Sequence, residues 1–146
     1  MTAGRAGALA WDLYAGVGLC ARVLTRAFEL VVAVEAAGDD LSRSFKGPGQ
    51  RAVSATTVEF LRDAVVQREK PDLVVMDPPR AGVGAETCAL LARISPTEIV
   101  YVSCDPVTLA RDLKTLMKSG YMLAELHMVD MFPQTFHLET VAVLRR

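Results

Sequence analysis

The sequence predicts an α/β domain: a mostly parallel, seven-stranded sheet with helices on both faces and an antiparallel pair of strands at its C-terminal edge. Three observations carry that expectation. Short apolar runs alternate regularly with longer amphipathic stretches. The runs have strand length and are rich in Val, Ile and Leu, as strands buried on both faces are. The last two runs lack a helix-length crossover between them, so antiparallel pairing is expected there.

In chain order, Leu9–Tyr14 reads as the first strand and Gly18–Phe28 as its helix. Leu30–Glu35 and Asp39–Phe45 repeat the unit, and Lys46–Gln50, with Gly-Pro-Gly at its centre, turns the chain into Arg51–Ala55. Helix Thr57–Glu69, strand Leu73–Asp77, helix Ala85–Arg93, strand Glu98–Ser103 and helix Pro106–Ser119 follow. Strands joined by helical crossovers belong in one parallel sheet covered on both sides. Met122–Val129 and Glu139–Leu144, separated by a loop containing Pro133, form the final pair. No repeat or linker interrupts this order, and residues 1–146 are expected to form one domain.

Composition narrows the class. With 51% hydrophobic and 23% charged residues in 146, the chain has the makeup of a soluble globular protein with a real core. The net charge of −1 gives no overall basic excess for gripping phosphates, so an RNA substrate would need a local patch or a further region. Cys20, Cys88 and Cys104 are too scattered for a disulfide framework or a zinc site. No segment reads as a signal peptide or a membrane span. A cytoplasmic protein without a structural metal is expected; its oligomeric state is unreadable.

Two ends of the predicted strands carry candidate chemistry. Asp12-Leu13-Tyr14-Ala15-Gly16-Val17-Gly18 closes the first strand and opens a helix, where glycines let a ligand approach the backbone. Glu35, nineteen positions after Gly16, ends the second strand and could accept the hydroxyls of a ribose. Gly16-Val-Gly18-Leu-Cys-Ala21 equally satisfies a dinucleotide pattern, which keeps NAD binding open. Further on, Asp77-Pro78-Pro79-Arg80 makes a stiff lip after the fourth strand. Val102-Ser103-Cys104-Asp105-Pro106 follows the fifth, with Asp105 placed to cap the next helix and Pro106 to enter its first turn. Cys104 would lie near that helix's positive end, a setting that suits a nucleophile. Cys20 and Cys88 fall inside helices in apolar settings, and His127 stands alone.

Four segments in this order and spacing, DLYAGVG from Asp12, DPPR from Asp77, VSCDP from Val102 and FPQTFHLET from Phe132, resemble the signatures of the RNA uracil-C5 methyltransferases. These enzymes make 5-methyluridine in tRNA and ribosomal RNA. The resemblance covers nearly the whole chain but only the family's C-terminal catalytic domain. It implies a Rossmann-like sheet that binds S-adenosylmethionine, and an RNA substrate whose uridine is unpaired or flipped out. It also implies roles: Cys104 as covalent nucleophile and Glu139 as base. By the same resemblance, Asp12, Tyr14, Gly16, Gly18 and Glu35 lie at the cofactor, Asp77 where cofactor and target base meet, and Arg80 beside it. His137, two residues before Glu139, either touches substrate or orients the loop.

The chain also departs from that pattern. The N-terminal RNA-binding domain and central region of the family have no counterpart in these residues. Ser54-Ala55-Thr56-Thr57 stands where an acidic residue near the adenine is usual, Asp105 replaces the usual Asn, and the stretch from Glu35 to Val53 is short. A second reading is therefore a non-catalytic or truncated module that keeps RNA or cofactor binding. An NAD enzyme ranks last, because it leaves DPPR and the Cys104–Glu139 pair unexplained.

Overall fold

The computed structural model describes residues 4–130 and 138–146. Its elements run β1 (Gly7–Leu13), α1 (Leu19–Leu24), β2 (Phe28–Glu35), α2 (Asp39–Ser44), β3 (Gln50–Ser54), α3 (Thr57–Gln67), β4 (Leu73–Met76), α4 (Gly84–Ile94), β5 (Glu98–Ser103), α5 (Pro106–Lys118), β6 (Met122–Asp130) and β7 (Leu138–Arg145). The seven strands form one sheet in the order β3-β2-β1-β4-β5-β7-β6. Every pairing from β3 to β5 is parallel, and β7 pairs antiparallel with both β5 and β6. The expected α/β sheet with an antiparallel C-terminal edge is what forms.

Strand alternation sends side chains to two cores. Trp11, Leu13, Val74, Met76, Ile99 and Tyr101 pack with residues of α3, α4 and α5 on one face. Ala10, Val31, Ala33, Val75 and Val100 cluster on the other with Ala21, Leu24, Leu41 and Phe45, from α1 and around α2. The central strands are apolar on both sides, which is why they read as unbroken runs. Trp11 packs edge-on against Phe60 with ring centroids 4.9 Å apart. Its Nε1 is buried without a hydrogen-bond partner among the described residues, so packing holds the ring. Among the described residues, no helix is long and apolar enough to cross a membrane.

One element is shorter than the sequence suggests. The helix expected over Gly18–Phe28 ends at Leu24. The Thr25 hydroxyl donates to the Arg22 carbonyl, and the Arg26 and Ala27 amides close tight turns onto Val23 and Leu24. That turn releases Phe28 to start β2 opposite Gly7, where its ring is buried. β4 likewise stops at Met76, leaving Asp77 beyond the ladder. The Gly-Pro-Gly turn forms as expected, with the Gln50 amide donating to the Gly47 carbonyl at 3.0 Å.

Two substitutions on α3 separate packing from exposure. Phe60→Ala, at a site only 5% exposed, is expected to lower unfolding free energy by about 3–5 kcal/mol. Val66→Ala, at a site 80% exposed, should change it by no more than about 0.5 kcal/mol. Urea denaturation of the two variants checks both values.

Candidate active site

The strand order reverses between β1 and β4: the chain steps from β1 to β2 and β3 on one side, and from β4 to β5 on the other. Such a reversal opens a crevice beyond the strands' carboxyl ends. The glycine turn lies at this point. Tyr14, Gly16 and Gly18 all have positive φ, at 63°, 55° and 82°. A Cβ on Gly16 would meet nothing within 4 Å, so the turn is open there, whereas one on Gly18 would lie 2.7 Å from Leu41. The Gly16 amide donates to Glu35 Oε2 at 2.9 Å, which joins the turn to the end of β2. Glu35 and the glycine turn are therefore one unit, as their spacing suggests.

Asp12 and Tyr14 support this turn from within. Asp12 is 2% exposed, and its Oδ2 accepts the Ala21 amide at 2.8 Å, tying α1 to the end of β1. Burial pushes its carboxyl up to about 7, against the pull of the Ala21 bond, and the charges of Asp77 and Glu35 add to the rise. The Tyr14 hydroxyl is raised by burial too, and interacts with Thr57 and Thr87. Its ring thus reaches toward α3 and α4.

The second cluster gathers one strand further along. Ser103 and Thr140 are register partners in the β5–β7 ladder. Cys104 follows Ser103 and Glu139 precedes Thr140, so both flank this pair at the crevice end of the ladder. Both are half-buried. Asp77, at the end of neighbouring β4, belongs to the same group. It is exposed by area, yet surrounding protein and then the charge of Glu139 hold its carboxyl above the usual range. Asp105 caps α5 as expected: its Oδ1 accepts the Val107 and Thr108 amides, both at 2.9 Å, and Pro106 occupies the first turn. The Thr108 and Val107 bonds, with Arg80 contributing its charge, hold Asp105 below its ordinary range. Arg80 is thereby placed near the turn that carries Cys104. His137, with Phe132 to Phe136, lies outside the described residues.

Some features of this end escape a reading of the sequence. Cys20 packs against the apolar core of its face, as expected, but also feels two carboxylates. It is half-buried on α1, and burial together with Asp12 and Asp77 raises its thiol. Cys88 is buried in α4, and its thiol is pushed up to about 12. Thr56 caps α3 through a reciprocal pair with Glu59, a T-x-x-E signal that was present in the sequence. Among the described residues, no group of three or more His, Cys, Asp or Glu could hold a metal.

Comparison with known proteins agrees with this layout. The family model described as tRNA (Uracil-5-)-methyltransferase matches residues 50–146. An uncharacterized RNA methyltransferase of Thermotoga maritima is 38% identical over 139 residues, covering 91% of this chain and 31% of that protein. A second, from Corynebacterium efficiens, is 37% identical over 144 residues, covering 96% and 33%. The chain thus spans about a third of the length of the curated relatives it matches. Among solved structures, the Pyrococcus abyssi tRNA (uracil-54, C5)-methyltransferase in complex with S-adenosyl-L-homocysteine is 32% identical, with a TM-score of 0.72 over 92% of this chain and 33% of that one. The chain belongs to the tRNA (uracil-5-)-methyltransferase family.

Proposed function

We propose that residues 1–146 act as the catalytic domain of an S-adenosylmethionine-dependent RNA uracil-C5 methyltransferase, with Cys104 as nucleophile and Glu139 as base. The observation that supports this reading is the β5–β7 register, in which Ser103, the residue before Cys104, pairs with Thr140, the residue after Glu139. Uracil C5 is a weak nucleophile. The Cys104 sulfur adds to C6, and the electron pair of the C5–C6 double bond moves into the adjoining carbonyl, making C5 enolate-like. When bound, S-adenosylmethionine supplies the electrophilic methyl group that C5 takes up. Glu139 removes the C5 proton, the double bond re-forms, and the Cys104 sulfur leaves from C6.

The cofactor fits the residues at hand. Gly16 leaves open backbone where a side chain would otherwise stand, and Glu35 offers carboxylate oxygens for ribose hydroxyls. Asp77, between this turn and the Cys104–Glu139 pair, serves where cofactor and base meet. Arg80 supplies positive charge on the substrate side. The substrate is a uridine of tRNA or ribosomal RNA, held out of its stack so that C6 can be reached. By the family resemblance His137 would contact the substrate.

Three variants test these assignments. Cys104→Ala should abolish any covalent complex with a uridine-containing RNA, read as a shifted band on a denaturing gel. A complex that persists in this variant removes Cys104 from the role. Glu139→Gln should still form the adduct yet release no product, so the covalent species accumulates; normal turnover would exclude Glu139 as the base. Glu35→Ala should weaken binding of S-adenosylhomocysteine by about 1–3 kcal/mol, the scale for losing a charged hydrogen-bond partner. Calorimetric titration measures it, and unchanged affinity would take Glu35 out of the site.

A further inference from the structure

The lip after β4 is fastened by the helix that begins behind Cys104. On α5, Leu109, Asp112, Leu113 and Leu116 share one buried stripe, and Asp112 is only 1% exposed. Its Oδ2 accepts the Tyr101 hydroxyl at 2.8 Å and the Val83 amide at 2.9 Å, while its Oδ1 accepts Arg111 Nε at 3.0 Å. Arg111 Nη2 also donates to the Ala81 carbonyl at 2.8 Å, and the Thr108 hydroxyl donates to the Arg80 carbonyl at 2.8 Å. Gly82 passes so close that a Cβ there would lie 2.4 Å from Asp112 Oδ2, and its φ of +75° independently favours glycine.

A buried carboxylate is costly unless donors surround it. Asp112 has three, from a strand, a loop and its own helix. A leucine would continue the apolar stripe of α5, but it could not bind the Val83 amide. Of its donors, the Val83 amide is the one that belongs to the lip. At its other end, α5 is fixed to the nucleophile's turn. Asp105 caps the helix, and Ser103 Oγ both donates to the Asp105 carbonyl at 2.9 Å and accepts the Asp105 amide at 3.1 Å. One rigid helix therefore connects the turn carrying Cys104 with the segment that follows Asp77.

We propose that Asp112, with Arg111 and Thr108, is a positioning group that locks the lip of residues 77–83 onto α5 and thereby sets Asp77 and Arg80 relative to Cys104. Its consequence for rate rests on the methyltransferase reading above; the clamp itself does not. Tyr101 remains a donor to it, because burial and the neighbouring Asp112 keep the phenol protonated.

The test compares wild type with Asp112→Asn and with Thr108→Val, which removes one lip bond without disturbing a buried charge. Amide hydrogen exchange reads the lip directly. Asp112→Asn should speed exchange at Ala81 to Val83 while leaving β1 and β2 protected, and Thr108→Val should do so more weakly. Methyl transfer to RNA should lose about tenfold or more in kcat in Asp112→Asn, with a smaller loss in Thr108→Val, because misplacement of reacting groups acts on the chemical step. KM for the cofactor should stay near wild type, which a general loss of folding would not produce. Unchanged protection of the lip in folded Asp112→Asn, or faster exchange with unchanged kcat, overturns the proposal. If Asp112→Asn fails to fold, Thr108→Val decides by the same criteria. A wild-type chain that transfers no methyl group counts against the methyltransferase reading instead, and the clamp then stands or falls on amide exchange alone.

Discussion

The antiparallel insertion of β7 beside β5 is the constraint on which the site depends. In a wholly parallel sheet, each strand brings only its carboxyl end to the crevice. Here β7 runs the other way, so the start of a strand meets the end of another. Ser103 and Thr140, far apart in the chain, are thereby paired, with Cys104 and Glu139 flanking them at the crevice end. Slipping the register by one residue would turn Val141 and Val143 out of their core.

The crevice end also concentrates negative charge. Asp12, Glu35, Asp77 and Glu139 gather at the ends of four strands; Asp77 and Glu35 act on Asp12, and Glu139 acts on Asp77. Asp12 and Asp77 are both held above the ordinary carboxylate range, chiefly by burial. Such an environment suits the cationic sulfonium of the proposed reaction. The four are not equivalent. Asp12 holds α1 through the Ala21 amide, and Glu35 braces the glycine turn through the Gly16 amide.

Much of this was legible in the sequence, for physical reasons. β5 spans Glu98–Ser103, the run its apolar residues mark, because a strand buried on both faces has sharp limits. Asp105 and Pro106 signalled the start of α5 because a cap and a first-turn proline are local chemistry. The end of α1 was not legible: Thr25 to Ala27 continue an amphipathic pattern, yet they form tight turns that deliver Phe28 to its pairing with Gly7. The site motifs were visible in the sequence, but that β5 and β7, which lead into and carry two of them, are neighbours shows only in the sheet order. Asp112 was hidden for a related reason. An acid on an apolar helical stripe reads as a break in the pattern until the amide of Val83 and the hydroxyl of Tyr101, both distant in sequence, are seen to meet it.

The most direct measurement uses an RNA oligonucleotide carrying 5-fluorouridine, whose C5–F bond gives Glu139 no proton to remove. Incubated with the chain and S-adenosylmethionine, digested and mapped by mass spectrometry, it should yield one cross-linked peptide. The account predicts attachment at Cys104, with the mass of one added methyl group. Attachment at Cys20 or Cys88, or a methylated base released without any covalent link, would contradict it.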